Sequence, residues 1–194
     1  NTASGNQAMF SNTTGNRNTA AGAEALYKNT TGFRNTALGY QSLYENTTGY
    51  YNTATGNEAM GLNLSGKFNV ATGFFALYTN TSGTYNTANG YRALVNTTGS
   101  YNTAQGGLTL DNITTGSYNT AIGYDAGPAV GNLTNTTAIG YQAIPRASNQ
   151  VRVGNTSVTS IGGQVSWSTF SDGRFKKDIK ANVAGLEFIN QLRP

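Results

Sequence analysis

Small apolar and polar residues recur along this chain with a fixed period. Each unit begins with Asn-Thr-Ala or a close variant, at Asn1, Asn18, Asn35, Asn52, Asn69, Asn86, Asn102 and Asn119. The spacing is 17 residues, with one step of 16 between Asn86 and Asn102. Glycine-bearing turns divide each unit into short segments, which suit strands and are too short for helices. The pattern predicts an all-β, parallel β-solenoid (β-roll) in which each unit forms one coil.

The apolar positions of the unit predict a thin interior. Its third position is alanine and its eighth is mostly alanine. The next position forms a Leu/Met column: Met9, Leu26, Leu43, Met60, Leu77, Leu94, Leu110 and Ile144. Because one coil holds little apolar volume, we expect this column to need a second surface. Association of identical chains would supply it, so we expect an intertwined homotrimeric fibre.

The repeat weakens after Gly123, and this divides the chain into three parts. We predict a repeat β-solenoid over residues 1–144, a neck with closing strands over 145–170, and a separate tail over 171–194. In the tail, Leu186, Ile189 and Leu192 recur at three-residue spacing and predict a short C-terminal helix. Residue 1 falls inside a repeat, so we expect the chain to be a fragment.

Composition excludes several function classes. The chain has no His and no Cys, which excludes a His-based triad, a Cys nucleophile, a Cys/His zinc site and a disulfide. Charged residues make up 10% of the chain, and the net charge is +4. The sequence has no stripe of basic residues of the kind that binds nucleic acid. No apolar run suits membrane insertion. Asp111 and Asp125 are the carboxylates that could bind a cation in a turn, but we expect no metal, no cofactor and no enzyme.

Aromatic residues also recur at fixed positions of the unit. One column contains Tyr40, Phe74, Tyr91, Tyr124 and Tyr141. Two hypotheses stay open for such columns. The rings stack as ladders that stiffen the rod, or they form a surface that binds sugar rings or another protein, since exposed Tyr combines an apolar face with a hydroxyl group.

Two motifs resemble known families. Ala121-Ile122-Gly123 and Ala138-Ile139-Gly140 resemble the repeat core of trimeric autotransporter adhesin heads and related trimeric fibres, although the 17-residue period is longer than theirs. The run from Ser171 to Ile179 is similar to the start of the intramolecular chaperone autoprocessing domain of endosialidase-type tailspikes and bacterial surface fibres. That resemblance implies that Ser171 and Lys176 form a dyad for self-cleavage of a full-length precursor, with Lys as the base.

These features predict a non-enzymatic, extracellular trimeric fibre module, an adhesin tip or shaft, that binds a cell-surface glycan or protein. One alternative is the receptor-binding fibre of a phage or phage-like tail. Another is an ice-binding solenoid, because one threonine per unit forms a row at the coil spacing. The members of that row are Thr2, Thr19, Thr36, Thr53, Thr87, Thr103 and Thr120.

Overall fold

A computed structural model of the chain describes residues 1–164, and in them every coil of the repeat contributes one short strand. Each strand is formed by the second, third and fourth residues of a unit, and Gly ends it. The strands are β1 (Thr2–Ser4), β2 (Thr19–Ala21), β3 (Thr36–Leu38), β4 (Thr53–Thr55), β5 (Val70–Thr72), β6 (Thr87–Asn89), β7 (Thr103–Gln105), β8 (Thr120–Ile122), β9 (Thr137–Ile139) and β10 (Val151–Val153).

The strands form one ten-stranded parallel sheet in chain order, β1 to β10. Equivalent residues of successive units are paired, so Ala20 lies opposite Ala37 and Ala37 opposite Ala54. The prediction of an all-β parallel β-solenoid is therefore confirmed, with about nine coils of 17 residues. The described residues contain no helix.

The second segment of each coil is not a strand. Two of its residues adopt left-handed backbone conformations, as Glu24 (φ 58°) and Leu26 (φ 53°) do in the second coil. Left-handed φ costs about 1–2 kcal/mol for a residue with a side chain. Bonds between coils hold it in place, since the Leu26 N–H donates to the Ser42 carbonyl at 3.0 Å. Two strands per coil were expected, and this alternation of backbone handedness is why only one forms.

The glycine that ends each strand is required by close backbone contact. Gly22 has φ 141°, and a Cβ there would lie 2.4 Å from the Gly39 carbonyl oxygen. The same contact repeats at Gly39, where a Cβ would lie 2.5 Å from the oxygen of Gly56. Any side chain at this column would therefore force neighbouring coils apart.

The apolar core closes within a single chain. The strand alanines Ala20 to Ala138 are at most 1% exposed, and Leu26, Leu43 and Leu77 of the Leu/Met column are 0% exposed. The expectation that this column needs a second chain is therefore wrong for its members from Met9 to Leu110, because the two segments of each coil already cover them, whereas Ile144 in the last coil is 38% exposed. The homotrimer stays a prediction, and it has to use a different surface.

Two ladders of buried asparagine run through the coils beside this core. In the first, the side chain of Asn18 accepts a bond from the Asn35 N–H at 2.9 Å and donates to the Gly32 carbonyl at 2.8 Å. In the second, the Asn46 side-chain amide donates to Asn29 Oδ1 at 2.7 Å, and Asn63 donates to Asn46 in the same way. Buried amides are stable only when paired, and each ladder pairs its own members.

The period changes at two places. The coil from Thr87 to Thr103 is one residue shorter than its neighbours. The last coil joins Thr137 to Val151, so its repeat length is 14 residues, and the sheet continues past residue 144 through β10.

The chain divides into two compact units, Asn1–Val158 and Thr159–Pro194, and the solenoid belongs to the first. Residues 165–170 of the predicted neck and the predicted C-terminal helix lie outside the described residues.

Candidate functional site

The aromatic column proposed for ligand binding lies on the surface of the solenoid. Its members are between 43% and 56% exposed; they are Tyr40, Phe74, Tyr91, Tyr124 and Tyr141. The column is interrupted, because Asn57 and Gly107 occupy the equivalent positions of two coils. It therefore divides into one lone ring and two pairs.

The two pairs differ in how closely and how parallel their rings stack. Phe74 and Tyr91 stack with centroids 5.8 Å apart and planes at 7°. Tyr124 and Tyr141 are less regular, at 6.2 Å and 25°. Each pair covers one face of each ring, so the column offers a few separate ring faces for a ligand and no continuous platform.

A second aromatic column is continuous and forms a ladder. Tyr51, Phe68, Tyr85, Tyr101 and Tyr118 stack at centroid distances of 5.1, 4.9, 5.2 and 5.0 Å. The Arg34 guanidinium lies 5.0 Å from the centroid of the first ring. Because neighbouring rings cover each other's faces, this ladder exposes ring edges and hydroxyl groups. The rings of this column stack as a ladder, which is the arrangement that the first of the two hypotheses expects.

One cleft lies where the shortened coil meets the coil before it. It has a volume of about 360 Å³ and is lined by aromatic residues with Arg92 beside them. Phe75 packs edge-on against Phe74 at 4.4 Å and against Tyr78 at 4.7 Å. Burial, and then the negative charge of Glu58, raise the pKa of the Tyr78 hydroxyl. This phenol therefore stays neutral and acts as a hydrogen-bonding group.

A larger cleft lies at the last coil. Its volume is about 580 Å³. The lining combines one aromatic ring, two arginines and several uncharged polar groups: Tyr141, Gln142, Ile144, Arg146, Gln150, Arg152, Asn155, Thr156 and Ser157. Sequence reasoning identified Tyr141 and missed the arginines, since the 14-residue coil that brings them together departs from the repeat.

The structure brings the two candidate cation ligands together. Asp111 and Asp125 line one small cleft, with a volume of about 70 Å³. Burial, followed by the charge of Asp125, raises the pKa of the Asp111 carboxyl, while Arg92 opposes that shift. Within residues 1–164 no group of three or more His, Cys, Asp or Glu side chains converges. The proximity of the two carboxylates is an electrostatic cost to the fold.

The threonine row lies on the outer face of the sheet. Thr19, Thr53 and Thr103 are exposed, while the alanine that follows each of them is buried. In the described part of the chain these hydroxyls have no side-chain hydrogen bond to protein, unlike the turn residue Thr30, which donates to the Thr47 carbonyl at 3.0 Å. The row therefore faces solvent with free hydroxyl groups.

The predicted dyad of Ser171 and Lys176 lies outside the described residues. No helix in residues 1–164 is long and apolar enough to span a bilayer. Comparison of the chain with protein-family models, curated proteins and solved structures gave no match.

Proposed function

We propose that this chain is a non-enzymatic binding module of an extracellular homotrimeric fibre, whose surface contacts a cell-surface glycan or protein. The observation that carries the proposal is the stack of in-register coils, which repeats the same side chains along the rod. With strands about 4.8 Å apart, the ten-stranded stack spans roughly 43 Å. Such a rod suits a spacer that holds exposed aromatic residues away from its point of attachment.

The outer face of the sheet is the surface that we assign to association of the three chains. The outward positions of strands β1 to β10 carry no charged residue. On the last three strands, Ile122, Ile139 and Val153 are exposed and lie next to one another. Burial of such apolar groups contributes about 25 cal/mol per Å², and an uncharged face has no charge to desolvate.

Sedimentation of charge variants tests this assignment. The unmodified chain should sediment at three times its mass of 20.4 kDa. Ile122→Lys combined with Ile139→Lys should give monomers, because a trimer would bury six lysines. Thr48→Lys combined with Thr115→Lys places the same charge on exposed turns and should leave the trimer intact. An unmodified chain that sediments as a folded monomer contradicts the trimer.

The adhesive role has its own test. The purified chain, labelled with a fluorophore, is applied to arrays of cell-surface glycans and to intact cells. Replacement of the exposed rings Tyr91 and Tyr124 by Ser should lower the signal at least threefold, while Tyr101→Ser in the stacked ladder should lower thermal stability more than binding. Absence of binding to every glycan and cell tested would leave the module a spacer only.

Ice binding is a second candidate, favoured by the free hydroxyl groups of the threonine row. Their spacing along the rod is set by strand pairing, and the hydroxyls need not be released from protein partners before they contact a ligand. Thermal hysteresis measures this activity directly. Thr53→Tyr and Thr87→Tyr on the sheet face should abolish any hysteresis, whereas Thr48→Tyr in a turn should not. Zero hysteresis in the unmodified chain removes this candidate.

A further inference from the structure

The last coil of the solenoid, which is shorter than the regular coils, borders a cleft. Thr120 pairs with Thr137 across a full 17-residue coil, but Thr137 pairs with Val151 across only 14 residues. The cleft, about 580 Å³, lies in the size range of small-molecule sites. It lies entirely within the unit Asn1–Val158.

The charges that line this cleft are both positive. Arg146 and Arg152 contribute guanidinium groups, and no carboxylate lines the cleft. Neither arginine has a salt bridge in the described part of the chain, where Lys28 and Glu45 form the one such pair. Two uncompensated guanidiniums beside one cavity favour an anion, and planar guanidinium groups match a carboxylate with two parallel hydrogen bonds.

One of the arginines is held in position by the fold. Arg152 occupies the central position of β10 and is half-buried. Its Nε donates to the Gly154 carbonyl at 2.9 Å. That bond uses the inner nitrogen and leaves the two terminal nitrogens for a ligand. A pre-positioned guanidinium loses less conformational freedom on binding than a mobile one.

The cleft also contains one aromatic ring and several uncharged polar groups. Tyr141 is 56% exposed, and Tyr124 stacks on it at 6.2 Å. The Gln142 Nε2 donates a hydrogen bond to the Asp125 carboxylate at 2.9 Å. Asp125 does not line the cleft, so its negative charge is bound outside it. An apolar ring face beside hydroxyl and amide groups suits a ligand that is apolar on one side and rich in hydroxyls at its edge.

We infer that this cleft binds the carboxylate-bearing pyranose of an acidic glycan, with the carboxylate on Arg146 and Arg152 and the sugar ring on Tyr141. The inference rests on the proposed adhesive function and names its ligand class. Uronic acids and sialic acids share this chemistry. A neutral sugar would leave both guanidiniums without a partner, and a small inorganic anion would leave the ring face unused.

The full 194-residue chain is titrated by calorimetry with four probes: methyl glucuronide, methyl sialoside, the neutral methyl glucoside, and inorganic sulfate. At least one acidic glycoside should bind, and at least tenfold more tightly than methyl glucoside and sulfate. The comparison of glucuronide with sialoside separates the two sources of the carboxylate. Equal affinity for glucoside, equal affinity for sulfate, or absence of binding by both acidic glycosides would overturn the inference.

Charge-matched variants locate the binding. Arg146→Gln combined with Arg152→Gln should weaken the acidic glycoside at least tenfold, whereas Arg17→Gln combined with Arg34→Gln removes the same charge elsewhere and should change little. Arg152→Lys keeps the charge but lacks the planar fork, and should weaken binding several-fold with an unchanged melting temperature. Unchanged affinity in the cleft variant overturns the site. A monomer that still binds the glycoside overturns the trimer and leaves the site intact, so the two failures are distinguishable.

Discussion

At the residue scale, the asparagine ladders show how a polar side chain becomes part of the core. Asn63 donates to Asn46 at 2.7 Å and accepts from Asn80 at 3.0 Å. The ladder ends at Asn80, whose Oδ1 is buried without a partner, because the next coil places Thr97 at the equivalent position. An unmade buried hydrogen bond costs about 1–3 kcal/mol.

Two alanine substitutions measure this difference. Asn63→Ala leaves Asn46 Oδ1 without its donor and breaks the bond from Asn80, so it should destabilise the fold by about 2–3 kcal/mol. Asn80→Ala breaks one ladder bond but also removes the unpaired oxygen, so its cost should be about 1 kcal/mol smaller. Urea unfolding of both variants checks the order. An equal or larger loss for Asn80→Ala would contradict the role given to the ladder.

Asp111 makes stability depend on pH. Burial and the neighbouring Asp125 raise the pKa of Asp111, so folding disfavours its ionised form. Its contribution to stability is present below the ordinary carboxyl pKa, about 4, and is lost as the pH rises through the higher folded value. Asp111→Asn should therefore raise the melting temperature by a few degrees at pH 7, and the gain should vanish below about pH 4. Glu24→Gln, which removes a negative charge elsewhere, is the control, and a pH-independent gain would contradict this account.

At the scale of the coil, the irregular turns are as informative as the regular ones. The regular coils join Leu77 to Asn80 by two residues, whereas the shortened coil joins Leu94 to Asn96 by one. This deletion places Asn96 on the surface and Thr97 inside. One missing residue therefore ends a ladder.

Restoring the missing residue should repair the ladder. Insertion of one Thr between Val95 and Asn96 gives a 17-residue coil and moves an asparagine to the position beside Asn80. We expect a gain of about 1 kcal/mol, measured by urea unfolding. The same insertion between Tyr78 and Thr79 lengthens a regular coil and should destabilise the fold. If both insertions destabilise it equally, the ladder is not what limits stability there.

The sequence predicted the regular coil but not the departures from it, for a physical reason. Repeated Asn-Thr-Ala and Gly at a fixed spacing specify in-register parallel strands. The left-handed backbone at Leu26 is not marked by a glycine in the sequence. The absence of a second strand in each coil could therefore not be predicted from the sequence. Leu43 is buried because both segments of a coil pack over it. The repeat pattern shows each position of the unit separately, so it does not show how the two segments pack together. The cleft around Arg146 and Arg152 lies at a coil that departs from the repeat, and such a departure carries no periodic signal.

At the scale of the whole molecule, the two candidate functions compete for one surface. A trimer that buries the sheet face covers Thr53 and Thr87 together with Ile122 and Ile139. Ice binding requires the same face to be exposed to solvent. The association of chains therefore decides between the two.

Trimer formation and thermal hysteresis should not occur together in one preparation of the protein. We expect a trimer with no thermal hysteresis, because the threonine row is then buried. Sedimentation and nanolitre osmometry of the same sample check this. A trimer that nevertheless shows hysteresis would contradict the assignment of the sheet face to the contact between chains.

In-register pairing also makes the length of this rod adjustable in discrete steps. Because Asn18 and Asn35 occupy equivalent places, excision of residues 18–34 joins two coils that already have matching partners. The shortened chain keeps every column and loses about 5 Å of reach. Unequal recombination between such repeats in a gene would thus change the length of the solenoid without altering the side chains that each coil exposes.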